Sequence, residues 1–419
     1  MINKRILIIS NNALADANAN GRTLKNFFDS DDRENLAQFY IQSDIPDHKA
    51  CSRFFKATDT QVLKAFLKRM PAGCAVEEQA VSSEGSSQAK RRRKKNPLTM
   101  LIRTFLWNRK GWRSVFYEWV DEFCPEIILF QAGDCPFLYR ISVDLSKKYN
   151  APLVIYNSED YYFKNYNYFP GSGVYGAFYP FFRRVLKRET KDAIERAALS
   201  IYISEDLKNL YDSEFHKNSS FIYTSTDISP CEKENEAPVF SYLGNIMLNR
   251  HLGLIEIAEA LHNIDPDYKL DVYGRVPDEK VKSEIIKCDS IRYHGVVSYD
   301  EVKAVIKNSM LVFHTESFEK FYSKDIKHGF STKIPDSLAC GTCFVLYAPQ
   351  HITCAKYIGE NDCGVLITDK SELVHKLSTA ISDKELRSYY INNAIKVAAV
   401  NHNAEKNREK FASLINNLC

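Results

Sequence analysis

The sequence predicts two α/β domains, each built on a doubly wound parallel sheet. A chain of 419 residues with 45% hydrophobic content is too long for one ordinary domain and has enough apolar mass for two cores. Short apolar runs alternate with helical patterns, which is typical of buried parallel strands covered by helices. The alternation restarts after a polar, proline-containing stretch at 226–237. We therefore expect domains over residues 1–226 and 238–400.

The apolar runs also predict where the strands lie. In the first domain they fall at 5–10, 126–130, 152–156 and 199–203, and in the second at 239–243, 269–273, 291–294, 310–313, 343–347 and 364–367. Ligands of such sheets bind beyond the carboxyl ends of the strands, and pockets favour domain interfaces. We therefore expect the functional residues in the loops that follow these strands, around a cleft between the two domains.

Composition narrows the class of protein. A net charge of +3 is close to neutral for this length and argues against a general polyanion binder. The N-terminus lacks a signal-peptide core, and no apolar run approaches a membrane-spanning length. Eleven cysteines without paired spacings indicate a reducing compartment, so we expect a cytoplasmic protein. The ten histidines form no ligand-spaced pair, so we expect no metal site.

One region is strongly basic. Residues 76–97 are rich in polar residues and contain six consecutive basic residues at 90–95, which predicts a flexible insertion. No nucleic-acid-binding module accompanies the run, so we expect no nucleic-acid partner. The following stretch, 98–119, places Trp107 and Trp112 among arginines and lysines. Two interpretations remain open: a helix lying on an anionic membrane surface, and a helix packed in the core.

The stretch with the clearest chemistry is 328–341, between two predicted strands of the second domain. Ser331 and Thr332 can cap a helix whose N-terminus faces an anion such as a diphosphate. Lys333 adds positive charge, and Asp336 can accept hydrogen bonds from ribose hydroxyls. The alternative is an ordinary capped helix with a solvated lysine.

This stretch, His-Gly-Phe-Ser-Thr-Lys-Ile-Pro-Asp-Ser-Leu-Ala-Cys-Gly, resembles the donor-binding domain of retaining family 4 glycosyltransferases of the GT-B fold. That family carries two glutamates separated by seven residues, and the matching positions here are His328 and Asp336. The resemblance implies that Asp336 keeps the role of the second acid. The sugar-contacting role of the first acid would pass to Glu316 or Glu319 in the preceding loop, or to no residue.

The resemblance extends along the second domain. Gly244 matches the family's glycine-led loop, and Arg250 matches the basic residue that grips the donor diphosphate. A guanidinium suits that task because it offers two parallel donors to phosphate oxygens. As an alternative, Arg250 is a solvated residue at a helix start. Gly274 and Arg275 resemble the strand-to-loop element that borders the nucleotide base.

In the first domain, Asn20, Gly21 and Arg22 follow the first strand and resemble the small-residue loop between donor and acceptor. Gly21 would let backbone approach a ligand closely, and the alternative is an ordinary turn. Glu159 and Asp160 resemble the His-Asp pair near the transferred sugar, with Glu159 in place of the histidine. The tail at 401–419 resembles the family's terminal helix, which crosses back onto the first domain.

Taken together, the resemblance implies a GT-B fold and a glycosyltransferase of bacterial polysaccharide synthesis. It would transfer a hexose-type sugar with retention from a UDP or GDP donor to a polysaccharide or lipid-linked acceptor. No cofactor is implied, because the nucleotide sugar is the substrate. Arg250, Lys333 and Asp160 would act in catalysis, and Asn20, Arg22 and Glu159 in acceptor binding. A sugar-nucleotide epimerase and a non-catalytic, membrane-associated scaffold remain as alternatives.

Overall fold

The computed structural model describes residues 2–16, 18–42, 44–77, 95–230 and 235–418. The chain forms two compact units. The first comprises Met1–Ile222 together with Asn407–Cys419, and the second comprises Tyr223–Lys406. Most of the basic insertion predicted at 76–97, including Lys90 to Lys94, lies outside the described residues.

The first unit contains a sheet of eight described strands in the order β4-β3-β2-β1-β5-β6-β7-β8. All neighbours pair in parallel except β3 and β4. The strands are β1 Ile6–Ser10, β2 Leu36–Tyr40, β3 Arg53–Lys56, β4 Cys74–Val76, β5 Ile127–Gln131, β6 Leu153–Asn157, β7 Leu199–Tyr202 and β8 Ser219–Phe221. The central strands β1, β5 and β6 are buried along their whole length, which is expected of a sheet covered on both faces.

Helices connect these strands. They are α1 Ala19–Lys25, α2 Asp59–Lys68, α3 Pro97–Trp107, α4 Ser114–Phe123, α5 Pro136–Tyr149, α6 Tyr179–Arg196 and α7 Glu205–Phe215. Short 3₁₀ helices occupy Ser30–Asn35, Lys110–Trp112 and Gly173–Phe178.

The second unit contains a six-stranded sheet among its described residues, and every neighbouring pair is parallel. The strands are β9 Phe240–Leu243, β10 Leu270–Tyr273, β11 Ile291–Gly295, β12 Leu311–Thr315, β13 Cys343–Tyr347 and β14 Val365–Ile367. Their order, β11-β10-β9-β12-β13-β14, is that of a doubly wound dinucleotide-binding sheet. The predicted α/β fold class is therefore confirmed.

The helices of the second unit are α8 Arg250–Ile264, α9 Glu279–Ile286, α10 Tyr299–Lys307, α11 Lys320–Asp325, α12 Ile334–Ala339, α13 Thr353–Glu360, α14 Leu373–Ser382 and α15 Lys384–Asn401. A 3₁₀ helix occupies Lys370–Glu372, and α16, Ala404–Asn416, follows α15. Most of α16 belongs to the first unit, where Phe411 stacks on Phe27 with ring centroids 4.8 Å apart.

The tryptophans of α3 and the following turn belong to the core of the first unit. Trp107 is 1% exposed and Trp112 is 2% exposed. The Trp107 ring stacks on Phe137, with the centroids 4.7 Å apart, and its indole N–H donates to Asp59. The expectation that these two tryptophans anchor at a membrane is therefore wrong, and the core-helix interpretation is confirmed for them. Among the described residues, no helix has the length and apolar character needed to cross a bilayer.

Candidate functional site

A site forms in the second unit where the winding of the sheet reverses. Strand β9 pairs with β10 on one side and with β12 on the other. The loops that follow β9 and β12 therefore lead away in opposite directions and leave a crevice at their carboxyl ends. The residues at this crevice are Gly244 after β9, Arg250 at the start of α8, His314 and Glu316 at the end of β12, and Lys333 before α12. We call these five residues the switch-point cluster.

The backbone before Arg250 adopts an unusual conformation. Leu248 has φ of 59° and Asn249 has φ of 58°, so two successive non-glycine residues are left-handed. Each such residue costs roughly 1 kcal/mol or more, and it persists only where other contacts hold it. One such contact is the Asn249 amide, which donates to Glu319 at 2.8 Å. These contacts fix the direction in which Arg250 enters α8.

Arg250 forms a bidentate ion pair with Glu316. Its Nε donates to Oε2 and its Nη2 to Oε1, each at 2.8 Å. The side chains are only 12% and 4% exposed, respectively. Both carboxylate oxygens are thus used to hold the guanidinium. The solvated interpretation of Arg250 is wrong, because its side chain is largely buried.

His314 also contacts the carboxylate of Glu316. Its Nε2 lies 3.0 Å from Oε1 of Glu316. Burial alone would raise the pKa of Glu316, but the Arg250 charge and the His314 hydrogen bond outweigh it and hold the pKa well below its usual range. Burial lowers the pKa of His314 to about 4 despite the opposing carboxylate. At neutral pH, Glu316 is therefore charged, and a neutral His314 donates to it from Nε2.

Lys333 lies across the end of β9 in space that Gly244 leaves open. A methyl group at Gly244 would lie 1.9 Å from Cε of Lys333 and 2.5 Å from its Nζ. Gly244 also has φ of +147°, a conformation that side-chain-bearing residues rarely adopt. The backbone conformation therefore favours glycine here, and a larger residue would also displace the Lys333 side chain. With Arg250 and Lys333 positive, Glu316 negative and His314 neutral, the cluster has a net charge of +1.

The loop after β10 braces the loop after β9. Gly274 lies so close to Gly244 that a methyl group on it would be 1.8 Å from the Gly244 carbonyl oxygen. The N–H of Ile246 donates to the carbonyl of Arg275 at 2.9 Å. The side chain of Arg275 is exposed. Gly274 and Arg275 therefore lie next to the cluster, and their expected place beside the nucleotide base stays a prediction.

The expected helix caps are absent. Helix α12 begins at Ile334, and its N-cap is Lys333, which forms no side-chain capping bond. Ser331 and Thr332 precede the cap position, so their hydroxyls are too early in the chain to satisfy the first helical N–H groups. Ser331 instead contributes its carbonyl to Ile334 N–H and its own N–H to the Cys354 sulfur at 3.4 Å. The prediction that these two residues cap the helix is wrong.

Asp336 lies one turn after Lys333 and is 8% exposed. Its Oδ1 accepts a hydrogen bond of 3.3 Å from the Tyr299 hydroxyl, which lies at the same distance from Oδ1 of Asp227. Tyr299 begins α10, so this contact ties two helix starts together. The expected contact of Asp336 with ribose stays a prediction.

In the first unit, the residues after β1 are held by local contacts. The Asn18 side chain caps α1 by accepting from the N–H of Gly21 at 2.6 Å. A methyl group at Gly21 would lie 2.1 Å from the Ala13 carbonyl oxygen, so the glycine serves close packing of the chain on itself. The Asn20 carbonyl accepts from the Gln131 amide at the end of β5. Arg22 follows within α1 and is partly exposed.

Asp160 organises the loop after β6. Its Oδ1 accepts from the N–H groups of Tyr162 and Phe163 and from the Tyr211 hydroxyl, at 2.8–3.2 Å. Glu159 is exposed, and it accepts from the Tyr161 hydroxyl at 2.9 Å. These bonds give Asp160 a structural task, and its expected catalytic role stays a prediction.

Sequence reasoning did not identify His314, Asn249 or Tyr299 as parts of this region. The only clue to His314 was its position near the end of a buried strand, two residues before an acid. Nothing in the sequence marked the left-handed conformation of Asn249 or the partners of Tyr299.

The residues that match a known protein family lie in the second unit. Residues 226–397 match the family model described as glycosyl transferases group 1. The match spans most of the second unit, which is therefore similar to the group 1 glycosyl transferases. No curated protein sequence matches the chain.

Solved structures resemble the whole chain. HepE from Anabaena in complex with UDP has a TM-score of 0.65 at 12% identity, covering 99% of this chain and 100% of that one. Sucrose-phosphate synthase from Thermosynechococcus elongatus has a TM-score of 0.66 at 11% identity, covering 99% of each chain. WaaG, a glycosyltransferase involved in lipopolysaccharide biosynthesis, has a TM-score of 0.55 at 10% identity, covering 98% of this chain and 99% of that one. The fold of this chain is therefore GT-B.

Proposed function

We propose that the protein is a retaining glycosyltransferase. It moves a sugar from a UDP- or GDP-type donor to a polysaccharide or lipid-linked acceptor in cell-surface polysaccharide synthesis. The observation that carries this proposal is the switch-point cluster, which lies within the residues that match the group 1 glycosyl transferases. HepE, which shares the fold, was solved in complex with UDP, and its bound UDP supports a nucleotide donor here. The proposed location is the cytoplasm, at the inner face of the cytoplasmic membrane.

The cluster suits a diphosphate leaving group. When the bond between the sugar C1 and the phosphate oxygen breaks, the electron pair stays on that oxygen and negative charge grows on the diphosphate. Lys333 and the guanidinium edge of Arg250 can offset that growing charge, and burial makes their interaction stronger than it would be in water. Because Glu316 already holds Arg250, little reorganisation is needed as the charge develops.

In the proposed retaining step, the acceptor hydroxyl attacks C1 from the face that the diphosphate leaves. A new C1–O bond forms, and the hydroxyl proton passes to the departing phosphate oxygen. Asp336 would bind the ribose, and Gly274 and Arg275 would border the base. Asp160 is proposed to lie near the transferred sugar, and Asn20, Arg22 and Glu159 to contact the acceptor.

A two-stage experiment tests this function. First, thermal shifts with a panel of UDP- and GDP-sugars identify the donor, because a ligand at a hundred times its Kd stabilises the fold by about 2.7 kcal/mol. Second, release of nucleoside diphosphate is measured with and without extracted cell-surface polysaccharide or lipid. Release that depends on the acceptor, with the anomeric configuration of the donor kept in the product, supports the proposal.

The alternatives give different results in the same experiment. An epimerase would change the sugar of the donor without any acceptor. A scaffold would bind the donor and release nothing. If no nucleotide sugar shifts the melting temperature, the proposed donor class is wrong.

A further inference from the structure

The first unit exposes large apolar side chains that adjoin one another on two helices. On α2, Leu67 is 70% and Phe66 45% exposed, and on α3, Ile102 is 52% and Phe105 51% exposed. The rings of Phe66 and Phe105 meet edge to face, with their centroids 6.3 Å apart. The exposed side chains of the two helices therefore form one surface. We call these four residues the apolar face.

A second apolar group borders the same helix. Helix α3 also packs against the 3₁₀ helix Gly173–Phe178 and against α6. There Val174 is 83% and Phe181 61% exposed. Single exposed apolar residues are ordinary, but a group drawn from separate elements marks an interaction surface.

The segments that form this surface are also strongly basic. Residues 59–70, 95–113 and 173–188 together contain twelve lysines and arginines and one acid, Asp59, whereas the whole chain has a net charge of +3. Some of these cations have partners within the unit: Arg103 pairs with Asp59, and Arg113 with Asp144.

Others are exposed. Lys64 and Lys68 lie on α2 close in sequence to Phe66 and Leu67, and Arg184 lies on α6, which packs against α3. The guanidinium of Arg109 lies over the Phe105 ring, 4.3 Å from its centroid. The apolar face is thus bordered by positive charge.

We propose that the apolar face and its bordering cations dock the protein on an anionic lipid bilayer. Apolar side chains can enter the headgroup boundary while lysines and arginines contact anionic headgroups. Both features are needed. Salt screens the electrostatic attraction to the bilayer, and a few apolar side chains without that attraction bind only weakly. A second copy of the chain fits less well, because a symmetric dimer through this surface would bring like charges together.

This surface differs from the one that the sequence suggested, because Trp107 and Trp112 are buried and the exposed residues lie on the outer sides of α2 and α3. The inference deepens the proposed function, on which it rests for the lipid-linked acceptor. Bilayer binding can nevertheless be measured without any donor or acceptor.

The test is sedimentation of the full-length protein with vesicles at low salt. Mixed phosphatidylglycerol and phosphatidylcholine vesicles are compared with pure phosphatidylcholine vesicles. The variant Leu67→Glu/Ile102→Glu should lose roughly tenfold or more in partitioning to anionic vesicles, since it places negative charge on the apolar face where insertion is needed. Ile286→Glu/Val400→Glu, at apolar positions of the second unit that are 56% and 66% exposed, is the matched control and should sediment like the parent.

A second pair of variants tests the charge. Lys64→Gln/Lys68→Gln/Arg184→Gln should weaken binding to anionic vesicles roughly tenfold or more, because each basic residue near an anionic surface contributes a several-fold factor. The control, Lys280→Gln/Lys287→Gln/Lys307→Gln, removes three exposed lysines from the second unit and should leave binding unchanged.

Three outcomes would overturn the proposal. In the first, the parent does not sediment with anionic vesicles at low salt. In the second, the controls lose as much binding as the test variants. In the third, Leu67→Glu/Ile102→Glu changes only the oligomeric state in light scattering. Thermal shifts with UDP- and GDP-sugars, run on every variant, report on the proposed function separately. If the test variants lose vesicle binding but nucleotide sugars still raise their melting temperature, the docking proposal is supported. If nucleotide sugars raise the melting temperature of none of the proteins, the proposed function is contradicted and the docking proposal is unaffected.

Discussion

The Arg250 guanidinium donates two 2.8 Å hydrogen bonds to the two carboxylate oxygens of Glu316, across 66 residues of sequence. The pair joins the start of α8 to the end of β12, so it also fixes the crevice between β9 and β12. Because the pair is largely buried, its two members should be strongly coupled in stability as well as in activity.

A double-mutant cycle tests the coupling. Arg250→Ala leaves a charged, buried Glu316 without its partner and should cost about 3–5 kcal/mol of the free energy of unfolding. Glu316→Gln should cost less, because the amide keeps the shape and one acceptor. The double variant should recover at least about 1 kcal/mol relative to the sum of the single changes. Urea unfolding of all four proteins supplies the cycle, and strict additivity would show that the pair is not coupled.

The same variants separate stability from catalysis. Arg250→Ala should reduce kcat roughly a hundredfold or more, the scale of losing one donor to a developing charge. The double variant should cost less stability than the sum of the two single changes, but its kcat should stay as low as that of Arg250→Ala, since the guanidinium is still missing. Turnover is followed by release of nucleoside diphosphate. Activity of Arg250→Ala within a few-fold of the parent would remove Arg250 from the diphosphate site.

Gly244→Ala should act through Lys333. The added methyl group would occupy the position of Lys333 Cε, so the lysine must move away from the end of β9. We expect a loss of kcat similar in size to that of Lys333→Met. Gly171→Ala is the control, because Gly171 also has a positive φ, +72°, but no atom lies within 4 Å of an added methyl group. That variant should lose about 1 kcal/mol of stability and keep its activity. Equal activity losses in both glycine variants would indicate backbone strain as the cause.

Much of this architecture was readable from local sequence. All ten predicted strands are present, because continuous apolar runs reflect burial on both faces of a parallel sheet. Four further strands, β2, β3, β4 and β8, were not predicted. In β2, Gln38 interrupts the apolar pattern. That side chain is fully buried, and its polar atoms bond to Leu14 N–H and the Ser10 hydroxyl, partners that lie 24 and 28 residues away.

The contacts within the site could be predicted from the sequence to a smaller extent than the fold. Glycines and cations could be placed at strand ends, but the pairing of Arg250 with Glu316 depends on which strands are neighbours. The prediction that Ser331 and Thr332 cap α12 was wrong because Lys333 has helical backbone angles, φ −95° and ψ −24°. The helix therefore begins after Lys333, and Ser331 and Thr332 lie before its N-cap. The sequence left the tryptophans undecided between a membrane surface and the core because both surfaces of α3 carry large apolar residues, and periodicity alone did not decide which surface is buried.

Acid should destabilise the second unit through two buried histidines. Burial lowers the pKa of His314 to about 4, and it lowers the pKa of His402 to about 4 as well. Each is near 6.5 in the unfolded chain, so below that pH the unfolded state binds more protons. The stabilising contribution is complete above pH 6.5 and is lost as the pH falls to about 4. We expect each histidine to account for about 2–3 kcal/mol of that loss.

The measurement is the free energy of unfolding as a function of pH. His314→Gln and His402→Gln should each flatten its slope between pH 6.5 and 4, whatever they do to its value at pH 7. His375→Gln, at an exposed position of α14, is the control and should keep the parent slope. An unchanged slope in both buried variants would mean that other groups dominate the acid response.

Asp336→Asn should weaken nucleotide binding through the ribose. Its carboxylate accepts hydrogen bonds, and an amide of the same size keeps one acceptor but presents N–H groups in place of the other. Because the proposed contact is to ribose, the free nucleoside diphosphate should lose as much affinity as the complete donor, roughly tenfold for a charge-assisted hydrogen bond. Tyr299→Phe removes the hydroxyl that donates to Asp336 and should have a smaller effect, because it leaves the carboxylate in place. Calorimetry with both ligands on the three proteins decides the role. If Asp336→Asn weakens binding of the complete donor but not of the nucleoside diphosphate, Asp336 belongs to the sugar pocket. If it weakens binding of neither ligand, the role of Asp336 is to join α12 to α10.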